Sequence, residues 1–222
     1  MRSSIVRLVV FDLDGTLVDS VGDLASSVNA MLERLAPGTP PLPVETVRSF
    51  VGRGAGALVE TSLARAGLVV ALEKALPVFL DCYRERLLDT THPYPGVAEG
   101  LDRLGDRTLA VLTNKPGDVS REILTGLGLA SRFARIYGPG DVASRKPDPA
   151  GLLRLVGELG TTRAETLMVG DSAIDVRTAR SAGVAVVGVT YGLDPSGFSA
   201  DPPDARVDSL VELAARLERG EL

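Results

Sequence analysis

Two aspartates separated by one leucine, Asp12 and Asp14, close the apolar run Leu8-Val9-Val10-Phe11 and lead into Gly15-Thr16. A short apolar, β-branched run that stops at acidic residues and glycine predicts a buried strand opening into a loop. In open parallel sheets, ligands bind beyond the carboxyl ends of the strands, and both carboxylates would sit there. If the backbone stays extended, Leu13 points elsewhere and the two acids face one side. Crowded carboxylates repel unless a cation or a shared proton offsets them. Magnesium suits such a pair, because it takes hard oxygen ligands and commonly accompanies phosphates. Asp-Gly is also ordinary turn chemistry, so this stretch alone reads equally as a strand-ending turn.

Residues further on decide between the two. The strand predicted over Thr108–Leu112 ends in Thr113-Asn114-Lys115, and that over Thr166–Val169 ends in Gly170-Asp171-Ser172. A hydroxyl and a backbone amide at Thr113 and Asn114 can donate to phosphate oxygens, with Lys115 at the rim of the same site. Lys146, in Arg145-Lys146-Pro147, supplies a point charge against a developing phosphorane or a carboxylate nucleophile. Asp171 and Asp175 stand four apart at a helix start and share a face. Asp171 can reach a metal directly, and Asp175 directly or through water. The only histidine is His92 and the only cysteine Cys82, so neither a Ser-His-Asp set nor a zinc cluster is available. A carboxylate can itself be the nucleophile of phosphoryl transfer, forming an aspartyl phosphate. Asp14 is then placed to protonate the leaving alkoxide and later to activate water.

The elements that must hold these residues alternate strand and helix, which predicts a parallel α/β core. Five core strands are expected, over residues 4–11, 108–112, 133–137, 166–169 and 184–189. Helices are expected over 97–104, 119–127, 149–159 and 173–182, with a last one opening at the capping-box pattern Ser209-Leu210-Val211-Glu212. Between Asp19 and His92 the strand signals fade. Leu24, Val28, Met31, Leu32 and Leu35 recur at helical spacing, and shorter helices are predicted over 44–50 and 57–66, then a long one over 72–88. The division expected is therefore a core domain of 1–18 and 93–222, with a helical cap domain of 19–92 inserted.

Composition sets the outer limits. The chain has 222 residues and a net charge of −5. It can bury a real core, and its charge balance argues against nucleic acid as the main partner. One cysteine allows no internal disulfide and fits a reducing cytoplasm. Cys82 reads as packing and His92 as non-catalytic. The apolar run near the N-terminus is too short for a secretory leader, and no segment is long enough to span a membrane. Monomer and homodimer both fit.

Taken in order, FDLDGTLVDS, TNK, KPDP and GDSAID resemble the four motifs of the haloacid-dehalogenase-like hydrolase superfamily. The resemblance implies a Rossmann-like core, with Asp12 as nucleophile and Asp14 as general acid/base. It further implies phosphate binding by Thr113 and Asn114, stabilisation by Lys146, and a magnesium site of Asp12, the Asp14 backbone carbonyl, Asp171 and Asp175. The helical insert is similar to the cap of the phosphoglycolate-phosphatase group, and VRSFVGRGAGALVE, YPGV, TNKP and VTYG also resemble that group. Hydrolysis of a small phosphomonoester, 2-phosphoglycolate foremost, is thus the expected activity. A sugar phosphomutase, a pyrophosphatase and a non-catalytic binding module are the alternatives. Arg53 departs from the group, which often has a small polar residue between these two glycines. It reads either as part of a tight helix–helix turn or as a cation that grips a substrate carboxylate.

Overall fold

The structure, a computed structural model, describes residues 6–222. It divides into two compact units, one of residues 1–18 and 93–222 and the other Asp19–His92. The first unit is built on β1 (Leu8–Phe11), β4 (Thr108–Leu112), β5 (Arg135–Tyr137), β6 (Thr166–Gly170), β7 (Ala185–Val189) and β8 (Ala205–Val207). These six strands form one parallel sheet in the order β5-β4-β1-β6-β7-β8. Strand β1 lies between β4 and β6, with Leu8 in register with both Thr108 and Thr166. All four β1 residues are wholly buried. A strand covered on both faces needs apolar side chains at every position, so LVVF is continuous rather than alternating.

The pleat sends alternate β1 residues to opposite layers. Val9 and Phe11 pack with Leu101 of α5 (Val97–Arg103), Leu124 of α6 (Gly117–Gly126) and Leu213 of α9 (Leu210–Glu218). Leu8 and Val10 pack with Leu152 and Leu155 of α7 (Ala150–Glu158) and Val176 and Ala179 of α8 (Ala173–Ala182). The result is a three-layer α/β/α sandwich, the fold class the sequence predicts. Gly183, at φ 68°, closes α8, where a left-handed residue caps the helix. Ser209 accepts from the Glu212 amide at 3.1 Å, and the Glu212 carboxylate turns back to the Asp208 amide at 2.8 Å. Strand β8 is not among the five expected strands. Positions 4 and 5 of the first expected strand lie outside the described residues.

The second unit holds α1 (Val21–Leu35), α2 (Val44–Arg48), α3 (Ala55–Arg65) and α4 (Leu72–Arg84). Leu24, Val28, Met31 and Leu32 form the buried face of α1, and Phe79, Cys82 and Tyr83 that of α4. Cys82 is thus a packing residue. The helix expected over 72–88 ends at Arg84. Asp23, in the first turn of α1, is fully buried. One of its oxygens accepts from the Thr90 amide and hydroxyl at 2.8 and 2.6 Å, the other from those of Thr91 at 2.9 and 2.6 Å. Two short strands, β2 (Val18–Asp19) and β3 (His92–Pro93), pair where the chain passes from one unit to the other and back. No helix among the described residues is long and apolar enough to cross a membrane.

Candidate active site

The site forms at the carboxyl ends of β4, β1 and β6, the three adjacent central strands. Ladder pairing runs one residue past β1, with the Asp12 amide donating to the Val169 carbonyl at 2.9 Å. The Asp12 backbone is therefore fixed by the sheet itself. Its side chain is 11% exposed. Oδ1 accepts from the Leu13 amide at 2.7 Å and lies 2.8 Å from Lys146 Nζ. The same ammonium stands 2.7 Å from Asp175 Oδ1. The other Asp175 oxygen accepts from the Ser172 amide and hydroxyl at 3.2 and 2.7 Å, forming the capping box of α8. Both Asp175 oxygens are thus occupied within the protein.

Asp171 follows β6 directly and is buried. Its Oδ2 accepts from the Leu193 and Asp194 amides at 2.7 and 3.3 Å. Asp12, Asp171 and Asp175 each bring a carboxylate oxygen within 4.8 Å of the others. Glycines make this crowding possible. Gly15 sits at φ 87°, and a Cβ there would collide with the Asp171 carboxylate. A Cβ on Gly170 would run into Asp175.

Electrostatics follows from the burial. Desolvation, with the neighbouring Asp175 charge, pushes Asp12 up to about 6 against the pull of Lys146. Asp171 is also held well above the usual carboxylate range, by burial first and then by Asp175 and Asp12. Burial alone would lower the Lys146 ammonium, but Asp12 and Asp175 outweigh it and hold it above its ordinary value. Three carboxylates around one lysine leave an excess of negative charge. The donor set is all oxygen, which is the chemistry of a hard divalent cation.

The tip of β4 supplies the second half of the site. Thr113 is buried, and its Oγ1 accepts from the Lys115 amide at 3.2 Å. The Asn114 side chain is turned onto Lys146, donating to its carbonyl at 3.0 Å and accepting from its amide at 2.9 Å. It therefore orients the lysine that faces Asp12. Lys115 is buried rather than at a rim, and its Nζ lies 2.9 Å from Asp14 Oδ1. The structure thus groups Asp12, Lys146, Asp171 and Asp175 in one cluster and pairs Asp14 with Lys115. The Asp14 side chain is not one of the clustered carboxylates among the described residues. Arg53 belongs to the helical unit, exposed on a turn between Gly52 at φ 109° and Gly54 at φ 91°. Those angles show that the glycines make the tight turn. The Leu193 and Asp194 amides on Asp171 are not foreseen by the motifs. They lie in the loop after β7, where composition indicates only a turn.

A sequence profile of the haloacid dehalogenase-like hydrolases matches residues 9–189, from inside β1 to the end of β7. The chain belongs to this family. Among the curated relatives of this hydrolase is the phosphoglycolate phosphatase of Pseudomonas putida, 42% identical over 215 residues, covering 93% of this chain and 78% of that one. The phosphoglycolate phosphatase of Chromobacterium violaceum is 40% identical over 222 residues, covering 97% and 98%. The crystal structure of a predicted phosphoglycolate phosphatase from Haemophilus somnus superposes with a TM-score of 0.88 at 33% identity, covering 96% of this hydrolase and 98% of that chain.

Proposed function

We propose that this hydrolase is a magnesium-dependent phosphatase of small phosphomonoesters, with 2-phosphoglycolate as its substrate. The observation that carries the reading is the division of labour at the sheet edge. One carboxylate, Asp12, is bound to the sheet ladder and to Lys146, while a second, Asp14, is held by a different lysine. A nucleophile and a separate acid/base are what two-step phosphoryl transfer through a carboxylate needs. Relatives with phosphoglycolate phosphatase as their name support the substrate.

Asp12 Oδ1 is occupied by Leu13 and Lys146, so Oδ2 attacks phosphorus. The bond to the ester oxygen breaks, Asp14 gives that oxygen its proton, and an aspartyl phosphate remains. Asp14, now ionised, takes a proton from the water that attacks the phosphorus in turn, returning Asp12 as carboxylate and releasing phosphate. Thr113 donates its hydroxyl proton to a phosphoryl oxygen, and Lys146 offsets charge beside Asp12 throughout. A divalent cation held by Asp12, Asp171 and the Asp14 carbonyl would screen the repulsion between carboxylate and phosphate. Asp175, with both oxygens engaged, positions Lys146 and reaches the cation through water. We assign the helical unit as a cap that excludes bulk water, with Arg53 gripping the substrate carboxylate. The single cysteine suits a reducing cytoplasm.

The test is phosphate release from a panel of small phosphoesters, headed by 2-phosphoglycolate, with and without magnesium. Wild type should turn over with metal only, and Asp12→Asn should lose about 10³-fold or more. Full activity in Asp12→Asn would sink the aspartyl-phosphate route. Preference for another ester would keep the route and discard the substrate.

A further inference from the structure

Two buried lysines share out the carboxylates of the site. Lys146 Nζ takes Asp12 and Asp175, and Lys115 Nζ takes Asp14. The Lys115 and Asp14 side chains are only 4% and 11% exposed. A lysine removed this far from water is costly unless a specific partner matches its charge. The matched oxygen here is Asp14 Oδ1, at 2.9 Å. The backbone of Lys115 is also pinned. Its amide donates to Thr113 Oγ1, and a Cβ on Gly138 would strike its carbonyl, so the loop after β5 lies directly against it. Fixed at its base and buried along its length, the side chain brings its ammonium onto Asp14 Oδ1.

We propose that Lys115 is a positioning residue for Asp14, holding the acid/base in the orientation that serves the leaving oxygen. This rests on the phosphatase reading above. Lys146 meets Asp12 and Asp175, whereas the ammonium that meets Asp14 is that of Lys115. A positioned general acid contributes roughly 10²–10⁴-fold. That contribution matters for an alkoxide leaving group, which must be protonated, and hardly at all for a nitrophenolate, which departs as the anion. Lys115 should therefore reveal itself through the leaving group.

The experiment is rapid-quench measurement of the first turnover with magnesium, on 2-phosphoglycolate and on p-nitrophenyl phosphate, for wild type, Lys115→Met and Lys115→Arg. The methionine variant should lose about 100-fold on 2-phosphoglycolate and less than about threefold on the aryl ester, with KM changed less than about threefold. Its aryl reaction should show a burst of one nitrophenolate per enzyme, because the water step still needs Asp14. The arginine variant keeps the charge and should recover part of the loss. Equal losses on both esters with a raised KM would overturn the proposal and make Lys115 a phosphoryl-binding group. Unchanged rates on both would overturn it as well. If the methionine variant fails a circular-dichroism check of folding, Lys115→Gln takes its place under the same criteria. Wild type inactive on both esters would instead overturn the phosphatase reading itself.

Discussion

Replacing Asp23 by asparagine should cost the protein about 3 kcal/mol, although the change keeps the shape of the side chain and lies outside the proposed catalytic groups. In the folded state the Asp23 carboxylate is fully buried and satisfied by four donors, two on each oxygen. Among the described residues no cation pairs with it, so those donors and the N-terminal turn of α1 carry the charge. Hydrogen bonds to a charged group are worth roughly 1.5–3 kcal/mol and neutral ones about 1. Asparagine keeps one accepting oxygen and replaces the other with an amide donor. On that side a threonine hydroxyl can turn and accept, but a backbone amide cannot. One buried N–H is left without a partner, at about 1–3 kcal/mol, and the remaining bonds lose their charge assistance. The sum is about 3 kcal/mol, a fall of about 6–12 °C in Tm for a chain of this size. Native-state hydrogen exchange reads the effect locally. Protection of the Thr90 and Thr91 amides should drop about 100-fold. Thr91→Val, which removes one hydroxyl and no charge, should cost only about 1 kcal/mol. An Asp23→Asn protein within about 0.5 kcal/mol of wild type, with both amides still protected, would refute the reasoning.

Arg53→Ala should raise KM for 2-phosphoglycolate about tenfold and leave kcat nearly alone, the value of one charge-assisted contact. A phosphoester without a carboxylate should not register the change in steady-state kinetics. Gly170→Ala forces a Cβ into Asp175 and, through it, displaces Lys146. A fall of about 100-fold in kcat/KM with an unchanged circular-dichroism spectrum is expected. In chelator, the burial of Asp12 gives a pH signature. Its folded pKa is raised from 3.8 to about 6, so the stability it contributes is full below the unfolded value and lost as pH rises through about 6. Thermal melts from pH 4 to 7 should therefore show Asp12→Asn gaining on wild type by about 3 kcal/mol. Saturating magnesium should abolish that gain and raise the wild-type Tm.

Strand ends were the most legible part of the chain, because a buried strand must be apolar and a polar residue at its tip stands out against it. Asp12, Thr113 and Asp171 all announce themselves that way. Strand β8 did not, since its three residues include the exposed Arg206 and only Val207 is well buried. Side-chain destinations were less readable still. Lys115 follows TN at a strand tip, which indicates proximity to phosphate but not that Asp14, 101 positions away, is its partner. Asn114 reads as a phosphate donor through its backbone amide, and nothing in the sequence signals that its side chain serves the Lys146 backbone 32 residues on. Asp23 reads as an ordinary acid in a first helical turn. Only the fold brings Thr90 and Thr91 to it. Partners this far apart leave no periodicity in the sequence, so each is visible only once the sheet and helices are assembled.

The pairing of β2 with β3 has a consequence for how such a protein can change over generations. The chain leaves the sheet unit at Val18–Asp19 and re-enters at His92–Pro93, and those two points are hydrogen-bonded neighbours. Strands β1 and β4 are ladder partners despite everything threaded between them. An insert whose ends are already joined can be lengthened, trimmed or exchanged without re-threading the sheet, and loop closure penalises the added length only slowly. The bond-breaking apparatus and the segment spliced into it can therefore be inherited, and recombined, as separate modules.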